Sequence, residues 1–147
     1  MTKERPILFS SPMVRAILDN RKTMTRRVIK KFELRYGEIG DLLWVKESFA
    51  SLNGHVFYRA DALPDRDRIM KYTSARYMPK AASRISLEIS GVRVELLGEI
   101  SEEDAKAEGV ESVRNFKKLW DKINGKRPGC DFAASPWVFV ISFVRVK

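Results

Sequence analysis

A lysine and a threonine three residues apart, followed by two arginines, make the most reactive stretch of this chain: Arg21-Lys22-Thr23-Met24-Thr25-Arg26-Arg27. A lysine that is desolvated, or crowded by other cations, has its pKa lowered and can act as a base. A threonine hydroxyl becomes a useful nucleophile only when such a base takes its proton. Arg26 and Arg27 would supply the crowding, and donors for a phosphate or carbonyl oxygen. In a plain strand, positions 22 and 25 point to opposite faces, so the pair converges only if the chain turns there. The alternative is a solvated basic strand edge whose threonines serve β propensity.

Two weaker cues accompany this run. Trp44, Phe57, Tyr58 and Trp137 lie in or beside predicted strands that also carry Lys46, Arg59 and Arg145. Aromatic faces interleaved with cations suit base stacking and phosphate contact. Core packing is the competing explanation, above all for Phe57 and Trp137. Glu108 precedes a helix-stopping glycine beside an apolar helix face. A carboxylate there can assist proton transfer, or simply be a solvated end-of-helix residue.

Other chemistries find little support. There is one histidine, His55, and one cysteine, Cys130, too few for a zinc cluster. His55 sits beside the turn Asn53-Gly54 and reads as an exposed turn residue. Gly125-Lys126 lacks the upstream glycine of a phosphate-binding loop, and no dinucleotide fingerprint occurs. No metal and no cofactor are expected.

The elements that would position these residues are readable in outline. Ile7-Leu8-Phe9 forms a short strand. Ser11 and Pro12 then open a helix with Met13, Val14, Ile17 and Leu18 on one face. Asn20 ends that helix in a left-handed conformation. The Lys22–Arg27 run falls at a helix-to-strand junction. Gly40-Asp41 turns into the strand Leu42–Val45, and Asn53-Gly54 reads as a hairpin turn between that strand and one over Val56–Ala60. Residues 61–80 read as a long excursion over the surface. Apolar positions alternate on odd numbers through Ile85, Leu87 and Ile89, then on even ones through Val92, Val94 and Leu96. A β-bulge at Ser90-Gly91 accounts for the phase flip. Ser101 caps a short acidic helix, with Asp104 at the capping-box position and Gly109 as its stop. Val113, Phe116, Leu119, Trp120 and Ile123 share the face of another helix. Pro136–Val146 is apolar on both faces, so it is expected to be a strand buried on both sides. Together these predict one α+β domain over 1–147: a small, mostly antiparallel β-barrel with about three helices outside.

Composition narrows the partners. The chain has 147 residues, with 28 Lys and Arg against 19 Asp and Glu, a net charge of +9. Such an excess favours a polyanion, and RNA or a nucleoside is the expected partner. A single cysteine fits a reducing compartment, and no apolar run has membrane-spanning length. A cytoplasmic protein with no membrane partner is the expectation. A monomer is expected too, although no residue pattern fixes the oligomeric state.

The run Arg21–Arg27 resembles the G-x-K-T-x-T-x-R signature of ASCH-domain proteins of the PUA-like superfamily. Gly40-Asp41-Leu42-Leu43-Trp44-Val45 is similar to that family's G-D-x-L-x-V strand. Ile100–Ala105, Glu108-Gly109 and Pro136–Phe143 match its later helix and closing strand. Tyr58–Asp61, Met78–Ile85 and Leu119–Arg127 resemble motifs of a phage- and prophage-associated branch. The resemblance implies a PUA-like barrel with an RNA-associated cleft. Some small bacterial members hydrolyse the acetyl amide of N4-acetylcytidine. By that likeness Lys22 is the base, Thr25 the nucleophile, and Glu108 the proton donor or orienter. The surrounding contacts to substrate or RNA would fall on Arg21, Arg26, Arg27, Trp44, Lys46, Tyr58, Arg59 and Arg84. Asn20 stands where the family has glycine, and residues 48–83 exceed the length in the minimal amidohydrolases.

Three functions are therefore distinguishable. An amidohydrolase acting on an acylated cytidine places Lys22, Thr25 and Glu108 in one pocket. An RNA-binding module spreads Lys22, Arg26, Arg27, Lys46, Arg59 and Arg84 along an open basic face. A ribonuclease needs an acid–base pair beside a 2′-hydroxyl, which Lys22 and Glu108 would have to provide.

Overall fold

A computed structural model describes residues 2–30, 35–63 and 70–147. Its elements are β1 (Glu4–Leu8), α1 (Ser11–Leu18), β2 (Met24–Val28), β3 (Leu42–Lys46), β4 (Phe49–Leu52), β5 (His55–Tyr58), β6 (Ser86–Leu96), α2 (Glu102–Ala107), α3 (Val113–Asn124) and β7 (Trp137–Arg145). Five strands pair in the order β1-β3-β6-β7-β2, while β4 and β5 form a separate hairpin. Among the described residues only the β1–β3 pair is parallel. The α+β class and the three α-helices are as the sequence predicts. The sheet, however, does not close into a hydrogen-bonded barrel: β1 and β2 remain its edges. A side chain links them instead, an Arg27 Nη donating to the Leu8 carbonyl at 2.8 Å.

Each sheet face carries its own core. One face, with Leu43, Val45, Leu87, Ile89, Phe139, Ile141 and Phe143, is covered by Val14 and Ile17 of α1. The other, with Val138 and Val140, is covered by α2 and α3 through Ala105, Phe116 and Trp120. The bulge keeps β6 in step with this division. Ile89 pairs with Phe143, the register shifts at Gly91, and Val92 then pairs with Ile141 on the same face. A regular strand would have turned Val92 and Val94 to the wrong side.

Several local expectations need adjustment. The cap of α1 is Ser10 rather than Ser11, and its side chain makes no capping bond. The Asn53-Gly54 hairpin joins β5 to β4 rather than to β3, which pairs with β1 and β6 instead, and β5 ends at Tyr58, because Arg59–Asp61 winds into a 3-10 turn. Ser101 Oγ does accept from the Asp104 amide at 3.0 Å, but the Asp104 carboxylate goes to Arg26 and Arg93, so no reciprocal box forms. Ile123 lies exposed, off the buried face of α3. The excursion over 61–80 is not all surface, since Met78 is fully buried, and its residues 64–69 lie outside the described residues. No helix among the described residues is long and apolar enough to cross a membrane.

Candidate active site

The turn that Lys22 and Thr25 need is built by two left-handed residues. Asn20 (φ 61°) reverses the chain after α1, so that the Arg21 and Lys22 amides both return to the Ala16 carbonyl. Lys22 then sits outside β2, in an isolated antiparallel bridge to Glu108 at the end of α2. Gly109 (φ 96°) makes the matching turn on the other chain. A Cβ there would stand 3.0 Å from the Ala16 Cβ and 3.2 Å from the Lys22 Cβ. Position 109 therefore has to be glycine for both conformation and space.

Lys22, Thr25 and Glu108 are each about 4% exposed. Lys22 Nζ donates to the Met24 carbonyl (2.8 Å), the Glu108 carbonyl (2.8 Å) and Glu108 Oε1 (3.2 Å). The Met24 carbonyl belongs to the peptide that joins Met24 to Thr25, so the ammonium lies against the backbone of the hydroxyl-bearing residue. Burial pushes the Lys22 pKa down, opposed by the Glu108 charge and assisted by Arg27 and Arg26. Thr25 pairs with Ile141 and shares the α1-side face with Arg27, whose strand partner is Phe139. Lys22 Nζ and Arg27 Cζ lie 5.6 and 5.0 Å from the centre of the Phe9 ring. No hydrogen bond from the Thr25 hydroxyl is present among the described residues.

Glu108 is held from both sides of β2. Its Oε1 faces Lys22, and its Oε2 accepts from Arg26 Nη1 at 2.9 Å. Arg26 points to the opposite sheet face, where its other terminal nitrogen meets Glu95 (2.6 Å) and Asp104 (2.9 Å). Its side chain is completely buried. Burial alone would lower its pKa, but the bonds to Glu95, Glu108 and Asp104 raise it on balance. Arg93 adds a second cation to Glu95 and Asp104. An incoming phosphate could reach Arg26 only by displacing a carboxylate. Its place is behind Glu108, positioning it, rather than among the open donors the sequence suggests.

A shallow recess lies on the Thr25 face, lined by Arg35, Tyr36, Gly37, Val92, Phe139 and Ile141. Its floor thus contains the strand partners of Thr25 and Arg27, but none of Lys22, Thr25 and Glu108 lines it. Arg21 is exposed nearby, donating to the Gly109 carbonyl at 3.4 Å and paired with Asp19.

The remaining expected contacts form a different cluster. Trp44 and Lys46 project from the opposite face of β3, three strand positions from β2 and so about 14 Å away across the sheet. Lys46 lies over the Trp44 ring and bonds the Arg76 carbonyl. Arg84 stacks 4.1 Å from the centre of the Tyr58 ring and is bound by both Glu47 oxygens and by Asp61. Tyr58 hydroxyl donates to the Ala82 carbonyl. This is a clasp between the hairpin and the start of β6. Its buried partner, Glu47, was not singled out, because a carboxylate at the end of a strand carries no sequence mark of burial. Burial raises the Glu47 pKa against the pull of Arg84. Arg59 is exposed beside this cluster. Among the described residues no group of three or more His, Cys, Asp or Glu is arranged to hold a metal ion.

The fold is of the ASCH kind. It is shared with an ASCH domain from Lactobacillus crispatus JV V101 (TM-score 0.63, 15% identity, 98% of this chain and 80% of that one). It is shared also with the DUF984 protein EF3133 from Enterococcus faecalis V583 (TM-score 0.55, 10% identity, covering 99% and 81%). The hypothetical protein PH0355 is similar over 98% of this chain and all of its own (TM-score 0.57, 11% identity, 100%). No protein-family model and no curated protein matches the sequence.

Proposed function

We propose that this protein recognises RNA or a modified nucleoside at the β2 edge and hydrolyses an acyl amide on cytidine, of the N4-acetylcytidine kind. The observation that carries the reading is the buried Lys22–Glu108 pair packed against the backbone at Thr25. An open basic face is the competing arrangement, and five of its six cations are already engaged: Lys22, Arg26 and Arg84 with carboxylates, Arg27 and Lys46 with carbonyls.

In the proposed reaction Lys22 acts as the free amine, which its burial favours. It takes the Thr25 proton as Oγ1 bonds to the acetyl carbonyl carbon. The resulting ammonium returns that proton to the exocyclic nitrogen as the amide C–N bond breaks, releasing cytidine and leaving an acetyl ester on Thr25. Water, deprotonated by Lys22 in turn, cleaves the ester to acetate. Glu108, fixed by Arg26, orients Lys22 and stabilises it whenever it carries the extra proton.

The test is release of cytidine from N4-acetylcytidine by the wild type beside Lys22→Ala and Thr25→Ala. Turnover by the wild type, reduced about 10²–10⁴-fold in each variant with folding intact, supports the assignment. A wild type without turnover would sink it, and RNA binding and cleavage would then be measured on the same variants.

A further inference from the structure

The floor of the recess continues past it into an uncovered apolar shelf. On the Thr25 face three side-chain rows follow one another: Thr25–Ile141–Val92, then Arg27–Phe139–Val94, then Ile29–Trp137–Leu96. Ile141, Val92 and Phe139 of the first two rows floor the recess. Beyond it, Val94 is 49% exposed and Trp137 is 54% exposed. A tryptophan this open, in a strand whose centre is fully buried, belongs to neither core. Sequence patterning assigns it to the core because it begins an unbroken apolar run.

We propose that Trp137 and Val94 form a stacking platform for a nucleotide a few positions along the strand from the one at Thr25, making the physiological substrate a single-stranded RNA rather than a free nucleoside. Trp137 lies four residues along β7 from Ile141, about 13 Å from the row of Thr25. One nucleoside seated at Thr25 does not span that distance; a strand of a few nucleotides does. Charge favours the same occupant. Lys30 directly follows Ile29 and is exposed, Arg35 lines the recess, and the chain carries a net +9. Glu95 and Asp104 are held on the opposite face by Arg26 and Arg93, while Glu99, Glu102 and Glu103, beyond the end of β6, are exposed. An open aromatic face beside a basic track is what binds bases without reading their sequence. The substrate assignment rests on the proposed hydrolysis; the platform itself does not.

The experiment titrates a short unmodified single-stranded RNA into wild type, Trp137→Ala and Trp137→Phe, following tryptophan fluorescence and affinity. It then compares KM for N4-acetylcytidine free and within the same RNA. Expected are quenching of Trp137, affinity roughly 5- to 150-fold weaker in Trp137→Ala as for one lost stacked base, and recovery in Trp137→Phe. KM should rise with the RNA substrate only. Unchanged RNA affinity in Trp137→Ala overturns the platform, as does a Trp137 that acrylamide cannot quench in the free protein. So does a concentration-dependent dimer that Trp137→Ala abolishes while RNA binding is unaltered. RNA quenching of Trp137 without amide turnover would keep the platform and reject only the hydrolytic reading.

Discussion

At the scale of single residues, the site depends on which charges are buried and how each is compensated. The sequence marks Lys22 and Thr25 by type and spacing, and β2 beginning only at Met24 removes the objection that they face apart. The sequence cannot mark Glu108 as buried, because a glutamate at a helix end is ordinarily solvated; only its bridge to Lys22 brings it inside. Arg26 is misread for the mirror reason. An arginine in a basic run looks available, and the three carboxylates that claim it come from residues 69 to 82 positions away. Two predictions follow from these environments. A catalytic amine works only when deprotonated, so the rate falls as pH drops through its pKa. Burial holds Lys22 below the ordinary lysine value of 10.5, so the acid limb of kcat/KM should have its midpoint below that value. A limb at or above it would exclude Lys22 as a buried base. Replacing Arg26 by Met leaves Glu95, Asp104 and Glu108 without their shared cation. Urea unfolding should show a loss of about 3–5 kcal/mol, and a loss under about 1 kcal/mol would mean that Arg93 and Lys22 suffice.

At the scale of elements, local signals with a backbone cause were readable and those with a tertiary cause were not. Asn20, the Asn53-Gly54 turn, the bulge at Gly91 and the stop at Gly109 all adopt the geometry their residue types suggest. Trp137, Ile123 and Met78 do not follow their local pattern, because what covers or leaves them depends on elements distant in sequence. The two left-handed positions offer a paired test. Asn20 already tolerates φ 61°, so Asn20→Gly should shift stability by no more than a few tenths of a kcal/mol. Gly109→Ala adds a strained φ and a Cβ pressed against Ala16 and Lys22. It should cost about 1–3 kcal/mol and lower turnover as well, since the intruding methyl meets the Lys22 side chain itself. Equal thermal midpoints for the two variants would contradict this account of the turn.

At the scale of the whole molecule, the expectation of a mostly antiparallel sheet with three helices held, whereas closure did not. Pairing of β1 with β3 is parallel, and the gap to β2 is bridged by Arg27 rather than by a ladder, which no periodicity in the sequence encodes. The fold by itself does not name an activity. What joins fold to chemistry here is that an open sheet edge, a helix end and two left-handed turns meet at one lysine and one threonine. The most direct measurement of that claim is the hydrolysis of N4-acetylcytidine by Thr25→Val and Thr25→Ser. Valine keeps the shape of threonine and removes the hydroxyl; serine keeps the hydroxyl and removes a methyl. The account predicts turnover lowered by at least ~10²-fold in Thr25→Val and largely retained in Thr25→Ser. Turnover in Thr25→Val within a few-fold of wild type would contradict it, and would pass the attack on the amide from Thr25 to water.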